Sequence, residues 1–489
     1  MTGGGAGGQG LIVLMRPSAG QPPWTRAVGG LDCLVTGPSM GRSGGMTSML
    51  RSIALALASL CLLAPAQAQA AQTYIHAGAL LDRPGQAPRG ASTLVVEDGK
   101  VVQVVDGHQA APAGARLIDL SDQFVLPGLI DAHVHIFSDD DKVASRLEAT
   151  TRDAEDRFVV GLDNARRTLA AGFTTIRDLG SDPPAITALR DAIEKGLVEG
   201  PTIVNAGRMI SISGGHGDGA NGLARDYAEL EREHAVNTCD GPEDCRRAVR
   251  IQVSQGAQVI KFAATGGVLS NVAGGLGRQM FDDEMKAIVE TAHAFGRKAT
   301  AHAHGKDGIM AALRAGVDSV EHATFTDPES LALFRQTGAY LVPTMIAPDA
   351  AVKQARAGER PPAVLAKAEE AARIAFAEHI DQFAAPGVKI AFGTDTGVSA
   401  HGDNATEFKM MVDAGMAPAR AIRSATVDAA DLLGLSSSLG TLGPGKSADI
   451  IAVAQSPLED VTELERVRFV MRRGVVHKLD GARQPWPAD

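Results

Sequence analysis

Two histidines one residue apart close the apolar run "LPGLIDAHVH", residues 126–135. Alternate residues of a strand point to the same side, so His133 and His135 can grip one cation together. Later apolar runs end in the same way, with Lys261 in "VIKFAAT", His302 in "ATAHAH", His322 in "DSVEHA" and Asp395 in "KIAFGTD". Imidazoles and a carboxylate are the ligands expected for zinc or a similar divalent metal. A metal held this way can activate water and polarise a substrate, which is the chemistry of metal-assisted hydrolysis.

Side chains so far apart in sequence need a scaffold that brings strand ends together. From about 126 to 435, short apolar strands alternate with amphipathic helices. "DDEMKAIVETAHAFG" is one such helix, with Met285, Ile288, Val289, Ala292 and Phe295 at helical spacing behind an Asp cap. Eight strand–helix alternations predict a (β/α)8 TIM barrel, in which strand ends converge on one face. An open doubly wound sheet is the alternative. Residues 71–125 and 436–489 are β in texture, with a hairpin signal at "EDGK". These two stretches are expected to form a small β-sandwich beside the barrel, completing an α/β chain.

Composition narrows the class. With 45% apolar and 21% charged residues the chain is ordinary globular material, and its net charge of −10 is spread without a basic stripe. Nucleic acid is therefore not an expected partner. Residues 1–45 form a Gly-rich leader, read as disordered or untranslated, and Met46 or Met49 is the expected start. Residues 46–70 read as a signal peptide: Arg51, then an apolar stretch from Ile53 to Leu63, then Ala-x-Ala sites. Leu60 before Cys61 fits a lipoprotein site poorly. The expectation is a periplasmic or secreted protein cleaved near Ala70, with no membrane segment in its mature form. Cys239 and Cys245 in "NTCDGPEDC" would then be the remaining cysteines and form a disulfide in an oxidising compartment. "GTLGPGKS", Gly440 to Ser447, spells a phosphate loop, but a strand-like run follows where that loop needs a helix.

These strand ends, with "TAHAHG", "FGTDT" and the closing "GTLGPGKSADIIAV", resemble the amidohydrolase superfamily from about 73 to 480. Within it the chain is similar to the imidazolonepropionase-like branch, especially bacterial secreted Xaa-Pro and Xaa-Arg/Lys dipeptidases and ochratoxin-hydrolysing amidohydrolases. The resemblance implies two divalent metal ions, zinc by expectation. One would take His133, His135 and Asp395, the other His302 and His322, with N6-carboxylated Lys261 and a hydroxide bridging both. An ammonium beside two dications would be repelled, so Lys261 fits that place as its carbamate. The implied reaction is attack of the hydroxide on an amide carbonyl, with Asp395 passing the proton to the leaving amine.

Three further histidines enter on the same basis. His216 in "SISGGHGDG" is expected to bond the substrate carbonyl or oxyanion, His304 to touch substrate or support the ligands, and His401 to sit at the pocket rim. Dipeptides or N-acyl amino acids are the implied substrates, with ochratoxin A a candidate. Arg208 or Arg225 could pair with the substrate carboxylate. A mononuclear-metal cyclic amidohydrolase or deaminase is the alternative, but "HAHGKDG" has no acid before Asp307 to handle ring protons. A binding protein without catalysis would be expected to lack a ligand, and none is missing. A homo-oligomer, as large as an octamer, is carried over from related enzymes.

Overall fold

Asp-Gly and Arg-Gly pairs punctuate the two β-rich ends of the chain. In the computed structural model, which describes residues 72–138, 151–268, 274–359 and 362–486, three such pairs are hairpin turns. Asp98–Gly99, Arg473–Gly474 and Asp480–Gly481 all have both φ angles positive, between 49° and 81°. Two consecutive left-handed residues give the turn whose twist matches antiparallel strands. The leader and the expected export signal lie outside the described residues, as do Asp139, Asp140 and Asp141 of the first barrel loop.

The N-terminal strands are β1 (Thr73–Leu80), β2 (Ser92–Glu97), β3 (Lys100–Asp106) and β4 (Arg116–Pro127). The barrel strands follow as β5 (Leu129–Val134), β6 (Phe173–Asp178), β7 (Thr202–Asn205), β8 (Val259–Ala263), β9 (Lys298–Ala303), β10 (Ser319–His322), β11 (Tyr340–Val342) and β12 (Lys389–Ile390). The chain closes with β13 (Ile450–Val453), β14 (Phe469–Arg472), β15 (Val475–Leu479) and β16 (Ala482–Arg483).

Both terminal stretches join one eight-stranded sheet, ordered β16-β15-β14-β13-β4-β1-β2-β3, through antiparallel pairing of β13 with β4. The sheet curls until its distant turns meet: a Cβ on Gly474 would stand 2.9 Å from the Cα of Gly99. Ile75, Leu94 and Leu120 pack there with Ile450 and Phe469, giving the expected sandwich its own core. The phosphate-loop lookalike forms turns that run into β13, so no helix N-terminus follows it.

β5–β7 and β8–β12 are parallel sheets joined by two shorter seams. Ala132 N donates to Phe392 O at 2.9 Å on one side, and Gln258 N to Asn205 O at 2.7 Å on the other. The result is a TIM barrel of eight parallel strands with helices between them. Its strands are apolar runs because both faces are covered; β5, β6 and β8 are buried at every position. The junction differs slightly from expectation. Leu126 and Pro127 belong to β4, and Gly128 is the pivot, where a Cβ would meet Thr174 Oγ1 at 2.3 Å.

One helix also departs in detail. Met285, Ile288, Val289 and Ala292 of helix Asp282–Ala294 are buried as expected, whereas Phe295 lies past the helix end and is half exposed. The Asp cap is replaced by Glu284, whose Oε2 accepts from Phe281 N at 2.8 Å. Among the described residues no helix is long and apolar enough to cross a membrane.

Candidate metal centre

The strand ends bring the six predicted ligands to one mouth of the barrel. His135 Nε2 lies 3.1 Å and His133 Nε2 3.4 Å from Asp395 Oδ1. Lys261 Nζ reaches 3.4 Å from His133 Nε2 with its side chain fully buried. His322 stands 5.1 Å from His133 and 4.6 Å from His302, ring centre to ring centre. The donor set suits a divalent metal. Ligand atoms of His133, His322 and Asp395 all lie within 4.8 Å of one another, as do those of His302, His304 and His322. His304 thus stands among the ligand candidates as well as on the cavity wall.

Each imidazole is oriented from behind, as metal ligands require. His135 Nδ1 lies 3.1 Å from Gly180 O, His302 Nε2 3.4 Å from Gly266 O, and His322 Nδ1 2.7 Å from Thr344 Oγ1. A carbonyl only accepts, so His135 Nδ1 and His302 Nε2 carry protons, and the neutral His302 keeps its lone pair on Nδ1. His133 Nδ1 lies 2.9 Å from Glu321 Oε2. The other Glu321 oxygen accepts from Arg177 Nη2 at 2.8 Å, Ser319 Oγ at 2.8 Å and Thr300 Oγ1 at 2.5 Å. This polar cluster fills the barrel interior under the site.

The strand ends are also bent out of ordinary backbone. His322, Ala323, Thr344 and Asp395 have φ between 47° and 69° without being glycine. Such residues cost about 1–3 kcal/mol each and persist where surroundings over-determine them. Gln382 Nε2 donates to Ala323 O at 2.9 Å. Asp131 accepts four hydrogen bonds, from His133 N, Thr394 N, Thr394 Oγ1 and Asn404 Nδ2, at 2.7–3.2 Å. One carboxyl group therefore fixes β5 and the turn that carries Asp395.

A cavity of about 250 Å³ opens in front of these ligands. Its far wall is apolar: Met209, Val268, Ala347, Pro348, Ala351 and Val398. His216 lines it too, stacked on His302 with ring centres 4.2 Å apart. Gly267 leaves the room for that ring, since a Cβ there would stand 2.3 Å from His216 Cε1. The His216 loop is anchored from outside: Cys239 and Cys245 are joined as a disulfide, Cys239 N donates to Ser211 O, and Asn237 Nδ2 donates to Met209 O and Gly217 O.

Two expectations gain no support from the cavity lining. His401 does not line the cavity; its Nε2 lies 2.9 Å from Ser138 O, tying the last barrel loop to the first. Arg208 and Arg225 are also absent from the lining. Arg208 faces Asp182 and Glu231 at 3.4 and 3.6 Å, and Arg225 is exposed. Lys261 is the sole cation among the described lining residues.

Burial would lower His135, but Asp395 and Asp178 outweigh it and raise that imidazole, whereas for the other imidazoles of the site burial wins. It pushes His133 and His216 down to about 4 and His304 to about 3, and holds His302 and His322 well below the usual range. Burial would raise Asp395, but His133 and His135 outweigh it and bring the carboxyl to about 2. Unfolded imidazoles protonate near 6.5 while these folded ones do not, so the unfolded state gains protons first as pH falls. The metal-free protein is expected to lose stability between about pH 6.5 and pH 4, by up to about 1.4 kcal/mol per pH unit for each such histidine. Thermal melts of chelator-treated protein at pH 7, 5.5 and 4.5 check this; a flat profile contradicts it.

Residues 124–477 match the amidohydrolase family, well over half of the chain. This chain belongs to the amidohydrolase family. It is 33% identical over 446 residues to ochratoxinase of Aspergillus niger, covering 86% of this chain and 89% of that enzyme. It superposes on a Xaa-Pro dipeptidase with methionine bound in the active site, with a TM-score of 0.78 and 35% identity over 83% of this chain and 100% of that one. A prolidase complexed with N-methylphosphonate-L-proline follows at TM-score 0.75 and 31% identity, over 84% and 100% of the two chains. The protein is a hydrolytic enzyme acting on amide bonds. Amidohydrolases are typically metal-dependent, and the buried His/Asp groups of this one have the matching chemistry.

Sequence reasoning missed the groups behind the amidohydrolase ligands: Arg177, Glu321, Asp131 and Gln382. Glu321 stood in plain view beside His322 in "DSVEHA". Strict strand alternation turns neighbours to opposite sides, yet the left-handed φ of His322 breaks that rule and both side chains reach the site.

Proposed function

We propose that this amidohydrolase is a binuclear-metal amide hydrolase cleaving dipeptides or N-acyl amino acids, with ochratoxin A among its candidate substrates. The observation that carries this is Lys261: a buried amine set among imidazoles and Asp395, facing an apolar cavity. Burial brings that amine down to about 8. A fraction of it is therefore uncharged near neutral pH and able to add CO₂ with loss of a proton to solvent, and the carbamate so formed would supply an anionic ligand for divalent ions.

His133, His135 and Asp395 would hold one divalent ion, His302 and His322 the other, with carboxylated Lys261 shared. Such a pair, zinc by expectation, supplies Lewis acidity and a water of lowered pKa. The chain's own residues do the rest. Asp395, ionised and close to both His133 and His135, accepts a proton from the attacking water and returns it to the departing amine. His216, neutral and stacked over His302, offers one N–H to the carbonyl oxygen as it gains charge. The Met209, Val268 and Val398 wall suits an apolar acyl group or side chain.

One observation favours a second reading. The His302, His304 and His322 group can hold a single metal by itself, as a mononuclear cyclic amidohydrolase would need. Metal counting on the purified enzyme, with a screen of dipeptides and N-acyl amino acids including ochratoxin A, separates the two. Two metals per chain and release of free amino acid are expected. One metal with cleavage of cyclic amides alone overturns the proposal.

Export with cleavage near Ala70 belongs to the same proposal, supported by the Cys239–Cys245 disulfide. N-terminal sequencing of the mature protein tests it. Assembly into a homo-oligomer, up to an octamer, is checked by light scattering.

A further inference from the structure

Glu407 is a fully buried carboxyl group that touches no ligand and has no part in the mechanism above. It lies on helix Thr406–Asp413, beyond the last barrel strand. Its two oxygens accept from two consecutive amides, Met345 N on Oε1 and Ile346 N on Oε2, each at 2.8 Å. Those amides open helix Ile346–Arg356, so Glu407 satisfies donors that a helix start leaves unpaired. The clamped segment has two faces. Just before it, Thr344 has a left-handed φ of 52° and holds His322 Nδ1 at 2.7 Å. Just after it, Ala347, Pro348 and Ala351 form part of the cavity wall.

We infer that Glu407 is a positioning residue for substrate selection, setting the depth of the apolar pocket by fixing the start of helix Ile346–Arg356. The physical reason lies in the composition of the wall. Alanine and proline have no flexible side chain to extend or retract, so that part of the wall stands wherever the backbone stands. Nothing on the helix itself can compensate a shift of its first turn. Burial raises Glu407 to about 8, but with or without its proton the carboxyl group keeps an oxygen that can accept from each amide, whereas a carboxamide of the same size presents an N–H to one of them. The inference rests on the amide-hydrolase reading for its substrate, but its structural half can be tested apart from it.

The test is Glu407→Gln in the full-length metal-loaded enzyme, measured three ways. Hydrogen exchange over residues 345–352 should quicken at least tenfold. KM for N-acyl amino acids with a large apolar acyl group should rise about tenfold, while kcat and the KM for N-formyl amino acids stay within threefold. Metal content should match wild type. If the wild-type enzyme cleaves no amide at all, the function reading falls while the exchange measurement still decides whether Glu407 fixes the helix start. Unchanged exchange, or an equal loss on large and small substrates, overturns the inference. Should Glu407→Gln not fold, Glu407→Asp, one methylene too short to reach both amides, is measured in the same way. Failure of both variants to fold makes Glu407 a stability residue and also overturns it.

Discussion

Lys261→Ala should lower kcat/KM by at least about a thousandfold, roughly 4 kcal/mol of transition-state stabilisation, and reduce the metal content from two ions to one per chain. Lys261 is the side chain that the proposed pair of ions would share. Without it, His302 and His322 have no anion to offset the second cation, because Asp395 lies against His133 and His135. Lost packing alone does not produce this result, and Lys261→Met separates the two effects. Methionine fills the buried stem but carries no amine, so it should be as inactive as alanine while melting closer to wild type. Propionate should restore part of the alanine variant's activity, since its carboxylate can occupy the vacated space. Full activity or two retained ions in Lys261→Met would remove the basis of the binuclear reading.

How much of this was legible before any coordinates depended on the range of each signal. The barrel and the ligand candidates were readable because strand periodicity is local: "DAHVH" and "ATAHAH" declare their sidedness within six letters. The groups that aim those ligands were not, because their partners are remote in sequence. Asp131 meets Thr394 and Asn404 more than 260 positions away, and Arg177 meets Glu321 across 144. Glu407 reads as an ordinary polar residue near the start of a helix until its two amide partners are seen. His401 and Arg208 show the opposite difficulty. Residue type made them candidates, and nearer partners, Ser138 O and the carboxylates of Asp182 and Glu231, had already engaged them. A polar residue's chemistry is written in its type, whereas its availability depends on which neighbour reaches it first.

Arg177→Met is expected to destabilise the metal-free protein by about 3–5 kcal/mol, the usual result of removing one partner from a buried ion pair. Both members are buried, at 2% and 0% side-chain exposure, with Nη2 2.8 Å from Glu321 Oε1. Burial alone would raise the Glu321 pKa, but the guanidinium, with His133 and Lys261, holds it far below the ordinary 4.5. Because the folded value is depressed, this stabilisation is complete above about pH 4.5 and is lost as pH falls through the folded value. The gap between wild type and variant in urea should therefore be full at pH 7 and narrow only in strong acid. Glu321 also faces His133 Nδ1, so an unpaired carboxyl that takes up a proton can turn that contact around. Metal affinity should then fall together with stability. Adding Glu321→Gln to Arg177→Met removes the stranded charge and should recover more than half of the loss in stability, a non-additivity that reports direct coupling. A double variant no more stable than Arg177→Met would mean that the arginine acts through its volume and its bond to Ala132 O, with the ion pair contributing little.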